Sequence, residues 1–190
     1  MPRLEKKNNR LLGDLTKDEL INRIVRVDHA GEYGAKKIYE GQLTILGKSD
    51  DADELRSMAA AEERHLKTFE KLVVERRVRP TALLPIWQIA GFALGAGTAL
   101  LGRKAAMACT VAVEEVIEEH YADQYAKLDA LPADEAEPAL KEVIEEFRLE
   151  ELEHRDTALA NDAESAPGYP ILSSAIKTGS RIAIWMSERV

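Results

Sequence analysis

Two Glu-x-x-His units constrain this chain more than any other feature. They are Glu62-Glu63-Arg64-His65 and, 89 residues later, Glu151-Leu152-Glu153-His154, each inside a charged stretch of helical periodicity. On an α-helix three residues turn the chain through roughly 300°, so Glu62 and His65 share a face one turn apart, as do Glu151 and His154. A carboxylate and an imidazole so placed can bind one ion together, and two such units imply two metals.

In ferritin-like carboxylate bundles, two helices of this kind face two others that each supply one more inward Glu. Glu32 lies 30 residues before Glu62, and Glu114 lies 37 before Glu151, the separation expected of neighbouring antiparallel helices with their sites at mid-length. The halves also align beyond these residues. Setting Glu32 on Glu114 puts Tyr39 on Tyr121, Gln42 on Gln124 and Leu46 on Leu128, while setting Glu62 on Glu151 puts Leu55 on Ile144 and Met58 on Phe147. A helix pair is used twice, over residues 16–79 and 103–162. The candidate metal ligands are Glu32, Glu62, His65, Glu114, Glu151 and His154. Four carboxylates balance two divalent ions with the histidines neutral, and an O/N set without thiolate suits iron or manganese.

Neighbouring groups compete. Glu63 and Glu153 point away from the ligand face and lack a His three residues on. Glu115 is the serious rival to Glu114, and the internal register favours Glu114. His29 is one turn before Glu32, but its counterpart before Glu114 is Val111, so it reads as a supporting or locally capped group. His120 has no partner in the first half and reads as orienting a carboxylate or partly exposed. Tyr39 and Tyr121 read as hydrogen-bonded or packing residues.

At 190 residues the chain suits one all-α domain, 16–190, behind a loose basic segment, 1–15. Thr16 and Glu19 form a capping box before a first helix running to Leu46, with Gly47 at its end. Gly31 and Gly34 sit mid-helix at a cost of about 1 kcal/mol each, which close helix approach beside the metal cluster would offset. Ser49, Asp50 and Asp51 cap a second helix of about 27 residues. A third bundle helix starts at Arg103 and stops before Pro132; a fourth starts at Pro138 and reaches about Asn161. Cys109 is the only cysteine and reads as core. A net charge of −8 argues against a nucleic-acid partner. Residues 1–10 show neither the apolar segment of a signal peptide nor the composition of a transit peptide.

Residues 81–102 carry no charge across 22 positions. That length invites a membrane span, but Pro85 leaves about 16 helical residues where a span wants about 20. A span would also put the two ligand-bearing halves on opposite sides of a bilayer. The stretch reads instead as a crossover helix lying in a membrane interface or lining an apolar pocket, with an amphipathic C-terminal helix from Ile171 to Arg189 as its companion. Trp87, Phe92, Leu94, Trp185 and Met186 are its expected anchors.

Residues 27–35 (VDHAGEYGA), 79–81 (RPT), 91–102 (GFALGAGTALLG), 106–115 (AMACTVAVEE) and 150–154 (EELEH) resemble the demethoxyubiquinone hydroxylases of ubiquinone biosynthesis, over about residues 20 to 190. The resemblance implies a ferritin-like di-iron monooxygenase, peripheral to the membrane, that hydroxylates the ring of a polyprenylated benzoquinol with O₂. Its ligands correspond to the six residues above, with Glu62 and Glu151 bridging and Glu32 and Glu114 terminal. Electrons would come from NADH or through the quinol. The implied setting is the cytoplasmic face of a bacterial inner membrane, with the matrix side of the mitochondrial inner membrane as the alternative. Homo-oligomers and other ubiquinone-biosynthesis proteins are the implied partners. Two other classes use some of these features: a ferritin- or rubrerythrin-like iron-handling protein, and a non-enzymatic lipid-binding bundle.

Overall fold

A computed structural model describes residues 15–49 and 52–190. Among them are six α-helices: α1 (Lys17–Leu46), α2 (Ala52–Glu75), α3 (Leu84–Leu100), α4 (Arg103–Asp129), α5 (Pro138–Ala160) and α6 (Tyr169–Ser187), with one 3-10 turn at Ala163–Ser165. The all-α expectation holds. The expected loose segment lies almost wholly outside the described residues, as do Asp50 and Asp51 of the expected α2 cap.

Local chemistry sets the ends. Glu19 N–H donates to the Thr16 hydroxyl at 3.2 Å and Thr16 N–H donates to the Glu19 carboxylate at 2.8 Å, so both halves of the capping box form. α2 is 24 residues long rather than about 27, because Arg77 takes a left-handed conformation at φ 53° and turns the chain early. Prolines stand in the first turns of α3, α5 and α6, where a missing N–H costs nothing.

α1 pairs with α2 and α4 with α5; α3 packs along α1, and α6 along α4. Two apolar plugs close the ends of the four-helix core. One contains Ile21, Ile24, Val25, Phe69, Tyr121, Leu128, Leu140, Ile144 and Phe147; the other contains Tyr39, Leu55, Met58, Met107, Val111 and Ala158. Glu32, Glu62, Glu114 and Glu151 lie between them in each helix, which is how acids remain buried at mid-length.

The glycines work differently from the expectation. A Cβ at Gly31 or Gly34 would meet nothing within 4 Å. Close approach occurs between α1 and α3: a Cβ at Gly95 would collide with the Ile38 carbonyl, one at Gly41 with the Phe92 carbonyl, and one at Gly91 would lie 2.8 Å from the Gly34 carbonyl oxygen. Backbone contact there seats α3 directly on α1. No helix among the described residues is long and apolar enough to cross a membrane. α3 instead exposes Ile86, Ile89, Phe92 and Leu100, and α6 exposes Ile171, Ile182 and Trp185. Of the expected anchors, Phe92 and Trp185 are exposed. Trp87, Leu94 and Met186 are partly covered, because Trp87 and Leu94 turn inward to line a groove and the Trp87 indole donates to Ser187 at 3.0 Å.

Candidate metal centre

α1 and α4 each deliver one glutamate, and α2 and α5 each deliver a Glu and a His one turn apart. All six side chains are buried. Their ligand atoms fall into two groups, each drawn together within 4.8 Å: Glu32, Glu62, His65 and Glu151, and Glu62, Glu114, Glu151 and His154. Glu62 and Glu151 belong to both. His65 Nδ1 lies 3.4 Å from Glu32 and 3.2 Å from Glu151, and His154 Nδ1 lies 3.1 Å from both Glu62 and Glu151.

Four acids buried together would not all ionise unaided. Burial, the neighbouring Glu151 and then other carboxylates push Glu62 and Glu114 well above the usual carboxylate range. Burial alone would lower the histidines, but the carboxylates of Glu151 and Glu32 beside His65 hold it up at about 12, and those of Glu151 and Glu62 beside His154 hold it up at about 11. Burial opposes ionisation of Glu151 as well, yet His154 and His65 bring it down to about 2. Protons thus supply positive charge that a cation would supply better. Glu32 Oε2, both Glu62 oxygens, Glu114 Oε2, Glu151 Oε1 and His65 Nδ1 make no hydrogen bond. Buried polar atoms are normally paired. Lone pairs that converge on shared points rather than on one another fit metal ions.

Two phenols brace the outer glutamates. Tyr39 on α1 donates to Glu114 Oε1 on α4 at 2.7 Å, and Tyr121 on α4 donates to Glu32 Oε1 on α1. Glu115, the rival to Glu114, faces away and pairs with Lys177. Glu63 pairs with Lys36 and Lys67, and Glu153 is exposed. His29 is buried but belongs to neither converging group. His120 stands beside Asp28, Nε2 to Oδ1 3.6 Å, so it adjoins a carboxylate outside the six.

Beside the centre runs an apolar groove of about 540 Å³. Its walls come from α1, α3, α4 and α6, with Gly31, Ile38, Trp87, Leu94, Val113 and Ile176 among them. Gly31 and Val113 immediately precede Glu32 and Glu114, so the groove reaches within one residue of each outer glutamate.

The family model described as "Ubiquinone biosynthesis protein COQ7" matches residues 19–187. The chain belongs to this family. Among its relatives in the COQ7 family, a protein of Rhodospirillum rubrum named 3-demethoxyubiquinol 3-hydroxylase is 58% identical over 185 residues, 96% of this chain and 84% of its own length. The human mitochondrial NADPH-dependent 3-demethoxyubiquinone 3-hydroxylase is 52% identical over 170 residues, 90% of this chain and 78% of its own. The yeast mitochondrial 5-demethoxyubiquinone hydroxylase is 42% identical over 183 residues, 90% of this chain and 78% of its own.

Sequence reasoning gave no role to two groups in this COQ7-family chain. Asp28 is fully buried and accepts from Gln124 at 2.7 Å. Glu150 lies 2.6 Å from His65 Nε2 and pairs with Arg64. Asp28 stands one turn before Glu32, and that position was the available signal. Glu150 is one of several acids on a charged helix, and only the approach of α5 to α2 singles it out.

Proposed function

We propose that this chain is a di-iron monooxygenase that hydroxylates the ring of a polyprenylated demethoxy-benzoquinol with O₂ in ubiquinone biosynthesis. The observation that carries this reading is the convergence of six buried ligand side chains, with unpaired lone pairs, beside an apolar groove, in a chain whose relatives bear hydroxylase names. Glu32, Glu62, His65, Glu114, Glu151 and His154 would hold two iron ions, with Glu62 and Glu151 shared. When bound, the irons would supply reductive O₂ activation.

The protein's part is positioning and exclusion of water. Tyr39 and Tyr121 fix the outer carboxylates, leaving one oxygen of each directed inward. The two apolar plugs keep the centre dry from both ends. Trp87, Leu94 and Ile176 offer the groove to a lipophilic substrate, with Gly31 and Val113 bringing it to the outer glutamates. The reductant is a reduced nicotinamide, NADPH in the human relative's name and NADH in the expectation from sequence, or electrons relayed through the quinol.

Residues 16–190 act as one ferritin-like domain whose two helix pairs repeat. The exposed apolar faces of α3 and α6 attach it peripherally to a membrane, on the cytoplasmic side in a bacterium or the matrix side in a mitochondrion. A homo-oligomer and other ubiquinone-biosynthesis proteins are proposed partners. The groove favours this reading over an iron store, and the ligand set favours it over a lipid-binding bundle.

Anaerobic iron loading followed by turnover of a demethoxyquinol with O₂ and a reductant tests the proposal. Two irons per chain and a hydroxylated product are expected, with both lost in Glu62→Ala and retained in Glu63→Ala. One iron per chain, or undiminished turnover in Glu151→Ala, would defeat it.

A further inference from the structure

The two metal positions look alike in their ligands and differ behind them. His65 turns Nδ1 toward Glu32 and Glu151 and places Nε2 2.6 Å from Glu150 Oε2. The His65 ring is fully buried and stacks on Phe147 at a centroid distance of 4.0 Å and 25°. It is therefore located both from its face and from its rear. With Nε2–H donating to Glu150, the lone pair stays on Nδ1, the atom facing the converging carboxylates. A carboxylate behind a ligating imidazole fixes its tautomer and makes it a stronger donor. Arg64 pairs with the same Glu150 oxygen and helps to hold that carboxylate in place.

His154 has no such support. Its Nδ1 faces Glu62 and Glu151, and no carboxylate contact at its Nε2 occurs among the described residues. The internal register explains why: setting Glu62 on Glu151 sets Ala61 on Glu150. The position that carries the rear carboxylate for one histidine carries a methyl group for the other. The surroundings of the outer glutamates differ as well. Setting Glu32 on Glu114 sets Asp28 on Thr110 and His120 on Ile38, so the Asp28–His120 pair, 3.6 Å apart, has a hydroxyl and an aliphatic side chain as its counterparts.

We propose that Glu150 is the positioning residue for His65 and that it makes the two metal positions inequivalent, so that a divalent ion fills the Glu32–His65 position before the Glu114–His154 position. This inference rests on the metal-centre reading above. It goes beyond that reading by assigning a role outside the six ligands and an order of loading.

The test is an anaerobic cobalt(II) titration of the full chain, followed by electronic absorption, with the metal-free variants checked for helicity and thermal unfolding. The expected result for the unmodified chain is two resolved steps, the first at least about tenfold tighter. Glu150→Ala should weaken the first step by roughly 10–100-fold, and the second should stay in place. Glu150→Gln, which keeps an acceptor for Nε2–H but loses the charge, should fall between. Ala61→Glu, which supplies the missing carboxylate behind His154, should tighten the second step. Equal weakening of both steps in Glu150→Ala, or no weakening in a folded variant, overturns the proposal. If the unmodified chain binds two ions in one unresolved step, inequivalence fails and the di-metal centre stands. Uptake of fewer than two ions defeats the centre itself.

Discussion

Tyr39 on α1 donates its phenol to Glu114 on α4 at 2.7 Å, and the register-related Tyr121 on α4 donates back to Glu32 on α1. Each helix of this pair therefore holds the other's glutamate. Burial and the adjacent Glu114 raise the Tyr39 pKa well above its usual value, and burial and Glu32 do the same for Tyr121, so both remain donors. Tyr39→Phe leaves Glu114 Oε1 without this partner and should destabilise the metal-free protein by about 1–3 kcal/mol in urea denaturation. The loss should be matched by Tyr121→Phe. A change of less than about 0.5 kcal/mol, as at an uninvolved surface position, would mean that the brace is not used.

Asp28 makes stability depend on pH. Burial pushes its carboxyl up from 3.8 to about 6, against the opposing effects of His120 and Gln124. Between these values the folded chain holds a proton that the unfolded chain has lost, so stability falls as pH rises through that window. Above it the penalty is on the order of 3 kcal/mol. Asp28→Asn, whose side-chain carbonyl can still accept from Gln124, should be more stable than the parent by an increment of that order at pH 7. The increment should shrink toward pH 4. Urea titrations of metal-free protein at several pH values measure it, and a pH-independent difference would contradict the assignment.

Two alanine substitutions in α3 should act in opposite directions. Gly95→Ala drives a methyl group into the Ile38 carbonyl and should cost about 1–3 kcal/mol by separating α3 from α1. At Gly97 a Cβ meets nothing within 4 Å, so Gly97→Ala should gain about 0.5–1 kcal/mol from helix propensity alone. Thermal unfolding of the pair distinguishes a packed glycine from an unpacked one.

Membrane attachment is proposed to run through α3 and α6. Ile89 is 73% exposed and Trp185 is 58% exposed. Replacing either with Asp should reduce co-flotation with anionic phospholipid vesicles by roughly tenfold or more, the effect of withdrawing about 1.5–3 kcal/mol of apolar burial. Val74, 75% exposed on α2, is the control, and Val74→Asp should leave flotation unchanged. Equal losses in all three variants would point to general electrostatic repulsion from the vesicle.

The helix pairs and the six converging side chains were legible in sequence because an i, i+3 spacing has one geometric meaning on a helix, and a second copy supplied the register. That register also oriented Glu114 inward and Glu115 outward, as the contacts of both residues now have it. The glycines were misread for a physical reason. A mid-helix glycine reports a missing side chain without saying whether backbone or empty space fills its place, so Gly31 and Gly34 could not be told from Gly41 and Gly95. Glu150 was hidden because its contact spans α2 and α5, and one acid among many on a charged helix carries no mark of the residue it faces. Trp87 and Leu94 were placed outside because an uncharged helix has no polar stripe from which to infer its inward face.

Gly31, Gly34 and Gly179 line the groove, and a Cβ at any of them would meet no atom within 4 Å. Each lies within a helix, where glycine costs about 1 kcal/mol against alanine. Alanine at these positions would therefore strengthen α1 or α6 while reducing the calibre of the passage. In most interiors, width and stability are tied together because filling space strains neighbours. Here they are uncoupled, so the bulk of molecule admitted can be retuned, in descendants or by engineering, without renegotiating the fold.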